Sequence, residues 1–155
     1  PAMHEWAGRL IERGVDHAKL YAATEQNERP QKLALLTRAL DSLRLVGDGQ
    51  VALMVLRQSD FARTGASGDE TERFVDIPQI VGSVQVVMLA VEQDDGRTRL
   101  SLRSKPGSGA IDVNALARQF NGGGHARAAG ARSGLPIDEV VEKVERAIEG
   151  MMGQS

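Results

Sequence analysis

The chain has 155 residues, 41% of them apolar, and no cysteine; this suits one compact domain with a helical arm and excludes a disulfide scaffold, a thiolate metal site and a cysteine nucleophile. No apolar run is long enough to span a bilayer and no charged-then-apolar leader precedes the first helix, so a cytoplasmic protein without a membrane partner is expected. Aromatic residues make up only 3%, which counts against a base-stacking platform, and the formal net charge is −2.

From residue 2 to about residue 43 the chain reads as helix with short connections. In HEWAGRLIERG, Trp6, Ala7, Leu10 and Ile11 fall on one face and Gly14 stops the segment. VDHAKLYAATEQ follows, with Val15, Ala18, Leu20 and Ala22 as its apolar set. Pro30 then opens QKLALLTRALDSL, where Leu33, Leu36, Leu40 and Leu43 recur at helical spacing. A chain that begins directly in helix, without a capping signal, is expected to be cut from something longer.

After the turn GDG the period changes. QVALMVLR reads as a strand buried on both faces, and SDFARTGASGDETERFVDIPQI as a connection followed by a helix capped by Ser67 or Asp69. SVQVVMLAVEQ and RTRLSLRSK are two strands joined by the hairpin turn DDG. IDVNALARQF is a short helix with Asp112 as its N-cap, GARS a short strand, and PIDEVVEKVERAIEGM an amphipathic helix carrying Val140, Val141, Val144 and Ile148. The order after residue 44 is β-α-β-β-α-β-α. It predicts a mixed-sheet α/β sandwich over residues 45–155, preceded by a helical arm over residues 1–44.

Charge is unevenly spread along this order. From Arg97 to Arg132 there are seven basic residues (Arg97, Arg99, Arg103, Lys105, Arg118, Arg127, Arg132) and one acidic, Asp112, leaving 12 basic and 20 acidic elsewhere. A local anion site on an otherwise acidic surface fits that asymmetry. Inside the basic segment lies FNGGGHARAAGARSG. Three glycines expose backbone N–H groups that can converge on an anion, His125 can donate from its ring, and Arg127 follows two residues on. In RLSLRSK, strand alternation turns Arg99, Ser101 and Arg103 one way while Leu100 and Leu102 face the core, and guanidinium forks match phosphate oxygens.

SLRS followed by DVNALARQFNGGGHARAAGA resembles the C-terminal associated domain of the DHH phosphoesterases, whose hallmark is GGGH followed by AAG. Within them it is most similar to the bacterial nanoRNase and 3′-phosphoadenosine-5′-phosphate (pAp) phosphatase branch, and the resemblance runs from about residue 50 onward. It implies a domain that faces a separate DHH catalytic domain across a cleft and grips the phosphate and nucleotide of short RNA, a pApA-like dinucleotide or pAp. Carried to the matching positions, the substrate-binding residues are Arg103, Ser104, Gly122, Gly123, Gly124 and His125, with Arg127 added on charge and proximity. Asn121 stands where the family often has a fourth glycine, and its side-chain amide can still meet a ligand. Residues 1–44 are then the connection leaving the catalytic domain.

The resemblance also implies two divalent metals, usually manganese, held by aspartates and a DHH triplet in that other domain, where such a pair activates water for in-line phosphoryl transfer. This chain contains no DHH triplet. Asp16-His17 is its one Asp-His pair and sits in a helical segment; His4 and His17 read as exposed helix residues, Asp94 and Asp95 as turn residues. The chain is therefore expected to carry no catalytic residue, no metal and no hydrolytic activity alone. An alternative of another class is a nucleic-acid-binding or oligomerisation module like the C-terminal domain of alanyl-tRNA synthetase. There the helical arm supports a homodimer.

Overall fold

The structure, a computed structural model, describes residues 2–107 and 110–152. It divides into two compact units, residues 1–30 and 31–155. The first holds α1 (Ala2–Glu12) and α2 (His17–Glu25). Gly14 ends the first helical stretch at φ 88°, and the Asp16 carboxylate accepts the amides of Ala18 and Lys19 at 3.1 and 3.0 Å, capping α2. Neither helix buries a residue, and Trp6 is covered only in part, by the Arg9 guanidinium 5.3 Å from its ring centroid.

The second unit is built on a six-stranded sheet in the order β1-β2-β3-β4-β6-β5. Its strands are β1 (Arg44–Val46), β2 (Val51–Leu56), β3 (Val86–Glu92), β4 (Thr98–Ser104), β5 (Gly123–His125) and β6 (Ala128–Ser133). β2 and β3 run parallel and every other pair is antiparallel, so the expected mixed sheet is the one observed. β2 and β3 are central and covered on both sides, which is why VALMVL and VVMLAV are unbroken apolar runs.

On one face of the sheet, Val51, Leu53, Val86, Met88, Leu100 and Leu102 pack against α5 (Val113–Arg118) and α6 (Ile137–Met152). The four apolar residues expected on α6 are all buried there, and Asp112 caps α5 through its bonds to the Asn114 and Ala115 amides. On the other face, Ala52, Met54, Leu56, Val87, Leu89 and Val91 pack against α3 (Pro30–Asp41) and against Phe74 and Val75. No residue of β4, β5 or β6 belongs to this second core. The covering layer stops there, leaving three strands accessible on that side.

Several expectations need correction. α3 was assigned to the arm, yet Leu35 and Ala39 are fully buried against the sheet, so α3 packs as part of the second unit. Its buried face differs too: Leu33 is 63% exposed, because a leucine-rich helix offers two overlapping apolar faces and only docking selects one. The segment after β2 forms α4 (Gln58–Thr64) at once, followed by two 3-10 turns, Gly68–Thr71 and Phe74–Ile80. Ser67 rather than Asp69 caps the first of these, in a capping box with Glu70. β1 and β5 are strands that the sequence reading did not contain. Among the described residues no helix is long and apolar enough to cross a membrane.

α3 is tied to α4 by Arg38, whose Nε donates to Asp60 Oδ1 at 2.9 Å, while Asp60 Oδ2 accepts the Arg57 amide at 2.9 Å. Burial opposes charge on Asp60, but these donors outweigh it and hold its carboxyl below the usual carboxylate range. A depressed folded-state pKa contributes stability that is complete above the ordinary carboxylate range and lost as pH falls through the depressed value. Asp60→Asn is therefore expected to lower Tm by roughly 4 °C at neutral pH, a gap that closes in acid. Thermal melts of both proteins across pH 2 to 7 check it, since a pH-independent gap contradicts the assignment.

Candidate substrate-binding face

Burial along β4 alternates without a break. Thr98, Leu100, Leu102 and Ser104 are buried, and Arg99, Ser101 and Arg103 are half-exposed on the open face. β6 pairs with β4 in the register Arg99↔Arg132, Ser101↔Gly130, Arg103↔Ala128, and β5 continues it with Gly123↔Gly130 and His125↔Ala128. Residues directly opposite share a face. The open face therefore carries three rows: His125–Ala128–Arg103 at one end, Gly123–Gly130–Ser101 in the middle, and Arg132–Arg99 at the other end with Asn121 beside it. Small residues floor the trough and cations stand at its ends.

Arg103 is held before any ligand arrives. Its Nε donates to Asp76 Oδ1 at 3.1 Å and its Nη1 to the Leu102 carbonyl at 3.1 Å, leaving the remaining guanidinium donors available. The imidazole of His125 is exposed and makes no side-chain hydrogen bond or ion pair among the described residues. Phosphate oxygens suit both groups.

Ser104 and Arg127 have another position. Adjacent strand residues point to opposite faces, so Ser104 lies beneath the sheet, 5% exposed. Its Oγ donates to the Ile111 carbonyl at 2.8 Å and accepts from Arg127 Nη1 at 3.1 Å, and the same Nη1 donates to Ile111 at 2.9 Å. This knot fixes the turn after His125 against the end of β4. Both residues support the face from below.

The glycine run is not an open loop of three free amides. Gly122 donates to the Ala117 carbonyl at 2.9 Å and Asn121 to that of Arg118 at 3.2 Å, the paired bonds of a Schellman helix end on α5. Asn121 takes φ 58°, the left-handed conformation that asparagine tolerates best after glycine, which accounts for its presence in place of a fourth glycine. A Cβ on Gly122 would lie 2.2 Å from the Gly130 carbonyl oxygen, so close strand approach demands glycine there. Gly124, at φ 153°, gives its amide to Asn114 Oδ1 at 3.0 Å.

Of the seven basic residues in the charged segment, the fold brings three to this face: Arg99, Arg103 and Arg132. Arg97 instead pairs with Asp95 within the β3–β4 hairpin, and Lys105 Nζ donates to the Val81 carbonyl. A groove of about 410 Å³ at the Arg99–Arg132 end is lined also by Ser101, Asn121, Gly122 and Gly130, and its lining holds no carboxylate. On the opposite flank Asp69 and Glu72 line a groove with Arg99 and Arg103. Arg99 and Ser101 stand on the outward face expected for them beside Arg103, whereas Gly130 and Arg132 are not among the binding residues expected from the sequence. Period-two alternation within GARS already puts Gly130 and Arg132 on one face, but only the pairing of that strand with β4 sets them beside Ser101 and Arg99.

The DHHA1 domain family matches residues 48–151. The chain belongs to that family. This is the associated domain expected from SLRS and GGGH. A probable bifunctional oligoribonuclease and PAP phosphatase NrnA from Streptococcus mutans is 33% identical over 128 residues, which cover 82% of this chain and 39% of that protein. An exopolyphosphatase-related protein from Bacteroides fragilis has the same fold at TM-score 0.89 and 25% identity, over 99% of this chain and 44% of its own. A pGpG-specific phosphodiesterase, PggH, from Vibrio cholerae shares the DHHA1 fold more loosely, at TM-score 0.50 and 11% identity over 80% of this chain and 39% of its own. The chain thus spans about two fifths of the length of these relatives.

Proposed function

We propose that this DHHA1 domain grips the phosphate and nucleotide of a short oligonucleotide, a pApA-like dinucleotide or pAp, and presents it to a separate DHH catalytic domain in the cytoplasm. The observation that carries the reading is the end row of the open face, where Arg103, already oriented by Asp76, and His125, which has no side-chain partner among the described residues, flank the small Ala128. Neighbouring strands are about 4.8 Å apart, so the two flanking residues stand about 10 Å from each other at their Cα atoms, room for a phosphate between them. The NrnA-like relative supports the nucleotide class.

Hydrolysis in this reading rests with manganese ions in the other domain. The residues present here do not fit a metal pair: among the described residues no group of three or more His, Asp or Glu is placed to hold an ion. The test is an amide NMR titration of the chain with pAp. Shifts confined to residues 101–105 and 122–127 are expected at millimolar ligand, and silence there overturns the proposal. A shallow salt dependence is expected as well, because a dinucleotide releases few counterions; a steep slope with long RNA alone would instead favour a tRNA-type module.

A further inference from the structure

The Arg99–Arg132 end of the open face lies outside the glycine–histidine motif and is chemically the more cationic end. These two arginines face each other directly across β4 and β6, an arrangement of like charges that destabilises a sheet when nothing offsets it. Neither has an acidic partner among the described residues. Arg99 spends its Nη2 on the Gly68 carbonyl and the Thr71 hydroxyl, and its Nε and Nη1 make no hydrogen bond among the described residues. Arg132 is exposed and makes no side-chain hydrogen bond among the described residues. Burial, and then the neighbouring Arg132, push the Arg99 guanidinium below its ordinary pKa, the direction expected of a cation lacking a counter-ion. Asn121 and Ser101 add neutral donors to the same groove.

We infer that this groove is a second phosphate subsite, set to take a phosphate two nucleotides along from the one held between Arg103 and His125. Arg99 and Arg103 are four residues apart on one strand face, about 13 Å. A nucleotide backbone repeat contains as many bonds as two residues of polypeptide, so four strand residues match two nucleotide steps. The chain pApApA has phosphates that far apart; pApA and pAp, with phosphates one step apart, do not reach both ends. The domain therefore measures length and favours 5′-phosphorylated trinucleotides over the shorter ligands. This rests on the proposed function, since Arg103 and His125 supply the first anchor.

Calorimetric titration of the chain with pAp, pApA and pApApA tests it, using Arg132→Gln because Arg132 is exposed and ties nothing in the fold. The wild-type chain should bind pApApA about tenfold more tightly than pApA, the value of one charge-assisted contact. Arg132→Gln should erase that step while changing pAp and pApA by less than about twofold. Equal weakening of all three ligands, or of none, overturns the subsite. If pAp binds and Arg103→Ala weakens that binding by about tenfold or more, the first anchor stands even where the second fails. If none of the three binds, both fall.

Discussion

Gly122→Ala is expected to cost about 3 kcal/mol and to lower Tm by about 10 °C, because the added methyl group has nowhere to go. It would meet the Gly130 carbonyl oxygen at 2.2 Å and the Ala131 Cα at 2.6 Å, both backbone-bound atoms that cannot rotate aside. The same residue closes the helix end of α5, so displacement there moves β5 and with it His125. Gly123→Ala is the control. Its nearest neighbour outside the adjoining residues is Asn114 Oδ1 at 3.7 Å, ordinary contact, and a change below about 1 kcal/mol is expected. Thermal melts of the two variants separate close strand packing from an anion loop, since a loop of freely converging amides predicts similar tolerance at both positions.

Arg103→Ala should weaken pAp binding by about 10- to 100-fold, the loss of a charge-assisted fork. Stability should hardly change, because Asp76 is 42% exposed and water takes over its lost partner. Arg103→Lys is expected to recover only part of the affinity: it restores charge but not the pair of bonds to Asp76 and Leu102 that orients the guanidinium. His125→Ala should fall in the same direction. Calorimetry with pAp checks all three, and an Arg103→Ala chain with unchanged affinity contradicts the assignment. Ser104→Ala behaves differently in this account. It loosens the knot with Arg127 and Ile111, so its effect is read first in Tm.

Much of this was legible residue by residue. The strict alternation in RTRLSLRSK turned Arg99, Ser101 and Arg103 outward, Asp112 began a helix, and Val140, Val141, Val144 and Ile148 lay on one buried stripe. Each of these is a local pattern, decided by near neighbours in the chain and a fixed period. SLRS and GGGH were likewise enough to recognise the DHHA1 family.

Other features depend on which distant segments meet. The glycines looked like an exposed loop because nothing nearby in sequence announces that β6 lies against both β5 and β4. Ser104 and Arg103 looked like one grip until the pleat put them on opposite sides of the sheet. Arg99 and Arg132 became opposite neighbours only through the β4–β6 register, and α3 chose Leu35 and Ala39 over Leu33 only on docking. Strand order and helix docking are set by the total apolar area that long-range contacts remove from water, a quantity no short window contains. Periodicity thus named the groups able to bind an anion, and the folded sheet chose which of them stand together.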